Sequence, residues 1–71
     1  MPTIRTGTVK RIKADKGFAF ILDDHDRKDY FCHASALEGC AIDDLQEGDR
    51  VQFEGVIGPK GPRAASVMRI R

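Results

Sequence analysis

The sequence predicts an all-β domain, a small antiparallel barrel of five strands. Three observations lead there. The chain has 71 residues, enough for one domain covering 1–71. A chain so short buries only about 60% of its unfolded surface, and closing a sheet on itself gives a compact core without edges. Apolar and β-branched residues come in short alternating runs rather than at helical spacing. Those runs are separated by glycine, proline and aspartate clusters of the kind that turn a chain.

In chain order, Thr6 to Ile12 is β-branched and partly alternating, a strand. Ala14 to Gly17 is a short turn in which Gly17 can take positive φ. Phe18 to Leu22 is a second strand that forms a hairpin with the first, and Asp23 to Asp29 is a polar, solvated connection. Tyr30 to His33 is a third strand. Ala34 to Leu45 holds a short helical turn around Ser35 to Leu37 and, given Gly39, no longer helix. Glu47-Gly48-Asp49 turns the chain into a fourth strand, Arg50 to Ile57, with Val51 and Phe53 on one face and Gln52 and Glu54 on the other. Gly58 to Pro62, with two prolines and two glycines, reads as a loop, and Ala64 to Ile70 as the last strand. At this length the economical closure is the five-stranded OB-fold barrel.

Composition sets outer bounds on function. No apolar run approaches the ~18 residues of a membrane span, and the opening MPTIRTGTVK has no apolar signal-peptide core, which points to the cytoplasm. Cys32 and Cys40 are too few for a disulfide scaffold and are expected as free thiols. The net charge is only +1, but its distribution is uneven. Arg5, Lys10, Arg11, Lys13 and Lys16 crowd the front and Lys60, Arg63, Arg69 and Arg71 the end, with most acids between Asp23 and Glu54. Folding the two ends together would give a basic face suited to a polyanion.

Phe18 and Phe20 are two apart on one strand, as are Phe31 and His33 on the next, so each pair leaves by one face. With Lys10, Arg11 and Lys16 nearby, these rings offer what sequence-tolerant binding of single strands requires: flat faces for bases and cations for phosphates. The outward orientation puts Ala19, Ile21, Tyr30 and Cys32 inside, where only the Tyr30 hydroxyl needs a special partner. The opposite orientation would bury the phenylalanines and expose Ile21 and Cys32.

Lys16-Gly17-Phe18-Ala19-Phe20-Ile21 resembles the first ribonucleoprotein motif of the cold-shock domain family, K-G-F-G-F-I, and Tyr30-Phe31-Cys32-His33 the second, V-F-V-H. Gly7-Thr8-Val9-Lys10, Ser35-Ala36, Glu47-Gly48, Val51-Gln52-Phe53 and Gly58 to Ala65 follow the family pattern in order, covering Gly7 to Val67. The resemblance implies an OB-fold that binds single-stranded RNA or DNA, as an RNA chaperone or expression regulator. In it Phe18, Phe20, Phe31 and His33 are the stacking platform, and Lys10, Lys16 and Lys60 contact phosphates or bases. Arg11, Lys13 and Arg63 are added here as cations of the same face.

The chain departs from the pattern at the platform's periphery. Arg11-Ile12-Lys13 replaces a usual Trp-Phe-Asn, Ala34 and Ile42 stand where aromatics are frequent, and Ala19 replaces a glycine. Losing rings worth about 1–3 kcal/mol each predicts weaker, more electrostatic binding, partly offset by the stacking and phosphate pairing of Arg11. A barrel that kept its fold but became a protein-interaction module is the alternative.

Other chemistries are set aside. Cys32 and His33 point to opposite faces, and no Cys-x-x-Cys unit exists, so no metal site is expected. The aspartates from Asp23 to Asp29 lack the spacing, glycine and glutamate of a calcium loop. No nucleophile–base arrangement stands out, so neither catalysis nor a cofactor is expected. A monomer is expected, with strand exchange through the long central segment as a route to a dimer.

Overall fold

The computed structural model describes residues 4–39 and 41–70. Five strands, β1 (Ile4–Lys13), β2 (Phe18–Asp23), β3 (Asp29–His33), β4 (Arg50–Gly58) and β5 (Gly61–Arg69), close into a barrel in the order β1-β2-β3-β5-β4. The all-β barrel is as expected, but it is not wholly antiparallel: β3 and β5 run parallel, in register at Phe31↔Arg63. Parity requires this. Strand direction cannot alternate everywhere around a ring of five, so one seam must join strands of the same sense.

The inward set is the one the alternation predicts. Ala19, Ile21, Cys32, Val51, Phe53 and Val67 are completely buried, with Val9 and Tyr30 scarcely less so. Each large side chain buried this way contributes about 1.5–3 kcal/mol. Leu37 and Ile42, from the segment joining β3 to β4, pack against this core. That segment contains two single 3-10 turns, Ala34–Ala36 and Ile42–Asp44. The second is not foreseen by the sequence reading; the Asp44 carboxylate helps form it by accepting the Ala41 N–H at 3.2 Å.

Gly7 lies where β1 presses on β2. A Cβ there would stand 2.5 Å from the Leu22 carbonyl oxygen and 2.9 Å from Ile21 Cγ2, so no side chain fits. Just beyond, the β1–β2 register slips between Val9 and Arg11. The bulge at Lys10 changes the phase of the strand: Val9 faces in opposite Ile21, while Arg11 and Lys13 face out opposite Phe20 and Phe18. This is why β1 alternates only in part.

Two expected connections are more ordered than loops. Gly58 to Pro62 is a two-residue turn, with Gly58↔Gly61 and Ile57↔Pro62 still in register. In such a hairpin the closing pair exchanges both hydrogen bonds and the next pair none, so Pro62 removes no donor from the β4–β5 ladder. The Asp23–Asp29 connection is not fully solvated either. Asp23 is buried, and its carboxylate accepts the N–H groups of His25 at 2.6 Å and Asp26 at 3.0 Å and a guanidinium N–H of Arg5 at 3.2 Å. Tyr30 finds its partner in the same place, its hydroxyl donating to Asp26 at 2.9 Å while Arg5 covers its ring at 5.6 Å.

Candidate nucleic-acid interface

Strand pairing assembles the predicted platform. Phe20↔Phe31 and Phe18↔His33 are register partners across β2–β3, and all four point away from the core. The three phenylalanines are half-buried, largely against one another: Phe18–Phe31 centroids lie 5.4 Å apart, Phe18–Phe20 5.6 Å and Phe20–Phe31 5.9 Å. Contacts at these distances hold the rings in place and leave their outer surfaces open. His33 is exposed, and its orientation is set locally. Nδ1 accepts the Ser35 N–H at 3.1 Å at the start of the Ala34–Ala36 turn, leaving Nε2 to carry the hydrogen of the neutral ring.

Cations flank the rings on both sides. Arg11 is across from Phe20 and Lys13 from Phe18 on β1, and Arg63 is across from Phe31 on β5. One row therefore crosses four strands as Arg11, Phe20, Phe31, Arg63. An open cleft of about 720 Å³ lies between Phe20 and Phe31 on one side and the β4–β5 turn on the other, lined also by Asp29, Pro59, Lys60, Pro62 and Arg63. Lys10, the bulged residue, donates to both Asp29 carboxylate oxygens at 3.3 Å. Lys16 is exposed at the end of the 3-10 turn Ala14–Lys16, which Gly17 closes at φ 76°.

The charge pattern divides more sharply than the sequence suggests. Among the described residues Arg11, Lys13, Lys16, Lys60 and Arg63 have no acidic partner, so their charge faces solvent. Among the described residues the other arginines expected on the basic face, Arg5 and Arg69, are neutralised elsewhere. Arg5 serves Asp23 and Asp26, and Arg69 pairs with Asp49 at 3.7 Å and donates to the Asp44 carbonyl. Arg71 and Cys40 lie outside the described residues. Arg50 binds Asp24 with both terminal guanidinium nitrogens, and this hydrogen bonding holds the Asp24 carboxyl below the usual carboxylate range.

The sequence reading omits three cleft residues. Asp29 could have been found, because it precedes Phe31 by two and so shares its face; Pro59 and Pro62 were hidden in what reads as a loop. Among the described residues no group of His, Cys, Asp or Glu is placed to hold a metal ion, and no helix is long and apolar enough to cross a membrane.

Comparison with known proteins agrees with this geometry. The sequence profile of the 'Cold-shock' DNA-binding domain matches residues 5–70. The chain is 47% identical over 64 residues to the major cold shock protein of Micrococcus luteus, covering 90% of this chain and 96% of that one. It is 48% identical over 65 residues to the cold shock-like protein CspA of Stigmatella aurantiaca, covering 92% and 96%. A solved structure, Drosophila Unr CSD456, superposes with a TM-score of 0.79 at 17% identity over 97% of this chain; the chain spans 27% of that protein, and the likeness is one of fold. By profile, by relatives and by barrel, the chain belongs to the cold-shock domain family.

Proposed function

We propose that this protein binds single-stranded RNA or DNA by stacking bases on Phe18, Phe20, Phe31 and His33 while Lys10, Arg11, Lys13, Lys16, Lys60 and Arg63 contact phosphates and base edges. The observation that carries the reading is the cross-strand row in which two outward rings, Phe20 and Phe31, stand between the guanidiniums of Arg11 and Arg63, neither of which has an acidic partner among the described residues. Every base has a π-face, so the rings tolerate sequence, and the cations supply affinity along the backbone. Bases held on the platform are unavailable for pairing. Mass action then draws hairpins toward their open form without ATP or catalysis, the behaviour of an RNA chaperone or expression regulator. We place it in the cytoplasm, acting as a monomer.

Titration of a labelled single-stranded heptamer at about 50 and about 200 mM salt tests this. A label is needed because the chain has no tryptophan. The expected result is micromolar or tighter binding that weakens on the order of tenfold or more at the higher salt. Absence of binding at high micromolar concentration overturns the proposal and leaves the barrel as a protein-interaction module.

A further inference from the structure

We infer that the cleft beside Phe31 reads guanine in preference to other bases. The inference rests on the single-strand reading above and adds to it a chemical identity for one nucleotide. Arg63 stands in register with Phe31 across the β3–β5 seam and, among the described residues, has no acidic partner. Asp29 lines the same cleft and shares the outward face of β3 with Phe31. A ring, a guanidinium and a carboxylate therefore converge on one open volume, with Pro59 and Pro62 facing the phenylalanines across it.

The functional groups select a base. A guanidinium is a fork of donors, and guanine presents two adjacent acceptors, O6 and N7, that match it. A carboxylate only accepts, and the other edge of guanine presents two adjacent donors, N1–H and the 2-amino group. Asp29 keeps that capacity: Lys10 approaches both its oxygens at 3.3 Å, and each oxygen has a second lone pair. No other base offers both edges. Uracil has one N–H between two carbonyls. Adenine turns its amino group toward the arginine, and cytosine turns an unprotonated ring nitrogen toward the carboxylate. The chemistry ranks guanine first, uracil second, and adenine and cytosine last.

The test uses oligouridine heptamers carrying one guest base at the centre: guanine, adenine, cytosine, hypoxanthine (which lacks the 2-amino group) or 7-deazaguanine (which lacks N7). Guanine is expected to bind about fivefold or more tightly than adenine or cytosine. Hypoxanthine and 7-deazaguanine should each lose part of that advantage. The variant R63Q, checked for an unchanged circular dichroism spectrum, should bind guanine and adenine guests alike. Equal affinity for all guests in the unaltered protein overturns the guanine assignment and leaves the stacking platform standing. The same holds if R63Q weakens every heptamer by one common factor, since Arg63 then touches only phosphate. Failure of every heptamer to bind overturns the platform reading and this inference with it.

Discussion

Arg11 stands directly across the β1–β2 pair from Phe20, at the position where the Lys10 bulge has rotated the strand's side chains outward. A guanidinium thus occupies the end of the ring row, and this trades stacking for charge. R11W should tighten binding of a single-stranded heptamer by about 1–3 kcal/mol and reduce its salt dependence by one phosphate contact. Titrations of both proteins across a salt series measure both effects.

Phe31 stands in the middle of the row, between Phe20 on β2 and Arg63 on β5, so its removal takes ring surface from the centre of the platform. F31A should weaken heptamer binding by about 1–3 kcal/mol. Because the ring is half-buried, its loss should cost less stability than the ~3–5 kcal/mol of a core phenylalanine. Binding isotherms and urea denaturation read the two quantities separately; unchanged affinity in a folded F31A would exclude this ring from the ligand.

Tyr30 carries a prediction on the alkaline side. Burial, and then the hydrogen bond to Asp26, raise its pKa above the ordinary 10.0. The folded protein therefore keeps the hydroxyl neutral at a pH where the unfolded chain releases the proton. Stability present below that pH is lost as pH rises through it. Y30F should lose about 1 kcal/mol at neutral pH with the hydroxyl's bond to Asp26 and show a flatter decline from about pH 9 to about 11. Urea midpoints across that range provide the comparison.

The acid side depends on Asp24. Its hydrogen bonds from Arg50, then that from Thr6, lower its pKa from 3.8. The unfolded chain takes up the proton first, so this contribution is complete above about pH 4 and disappears as pH falls further. R50M should flatten the acid arm of the stability curve. Equal acid slopes for the two proteins would show that the exposed pair contributes nothing measurable.

Gly7→Ala tests the tightest strand contact. The added methyl would meet the Leu22 carbonyl, a backbone atom with little room to yield. A loss of at least about 1–3 kcal/mol is expected, measured as a lower denaturation midpoint. Heptamer affinity of the folded fraction should be retained, because Gly7 pairs with Asp23 and Val51, away from the rings.

The parts of this architecture that were legible in the sequence are those set by local alternation. Phe18, Phe20, Phe31 and His33 alternate with Ala19, Ile21 and Cys32, whose small or aliphatic side chains suit a barrel interior, and with Tyr30, and this alternation points the rings outward. The Lys10 bulge was not legible, since one extra residue in β1 changes phase only through its pairing with β2. Nor was the continuation of β4 and β5 to Pro59-Lys60: glycine and proline argue for a loop unless it is known which N–H groups the ladder uses. The Arg5–Asp23–Asp26–Tyr30 cluster joins residues as far as 25 positions apart, so only the fold reveals that these charges are spent internally.

The parallel seam between β3 and β5 has a mechanical consequence. It is in register at a single pair of positions, Phe31 and Arg63, supplemented by the Leu37↔Val67 bridge, so it is the line along which the cylinder is least securely sewn. A nucleotide bound as proposed, with Phe31 on one margin and Arg63 on the other, would act as a clasp over that line. Cargo and container then reinforce each other: loading raises the melting temperature, and whatever pries the two margins apart also releases the load.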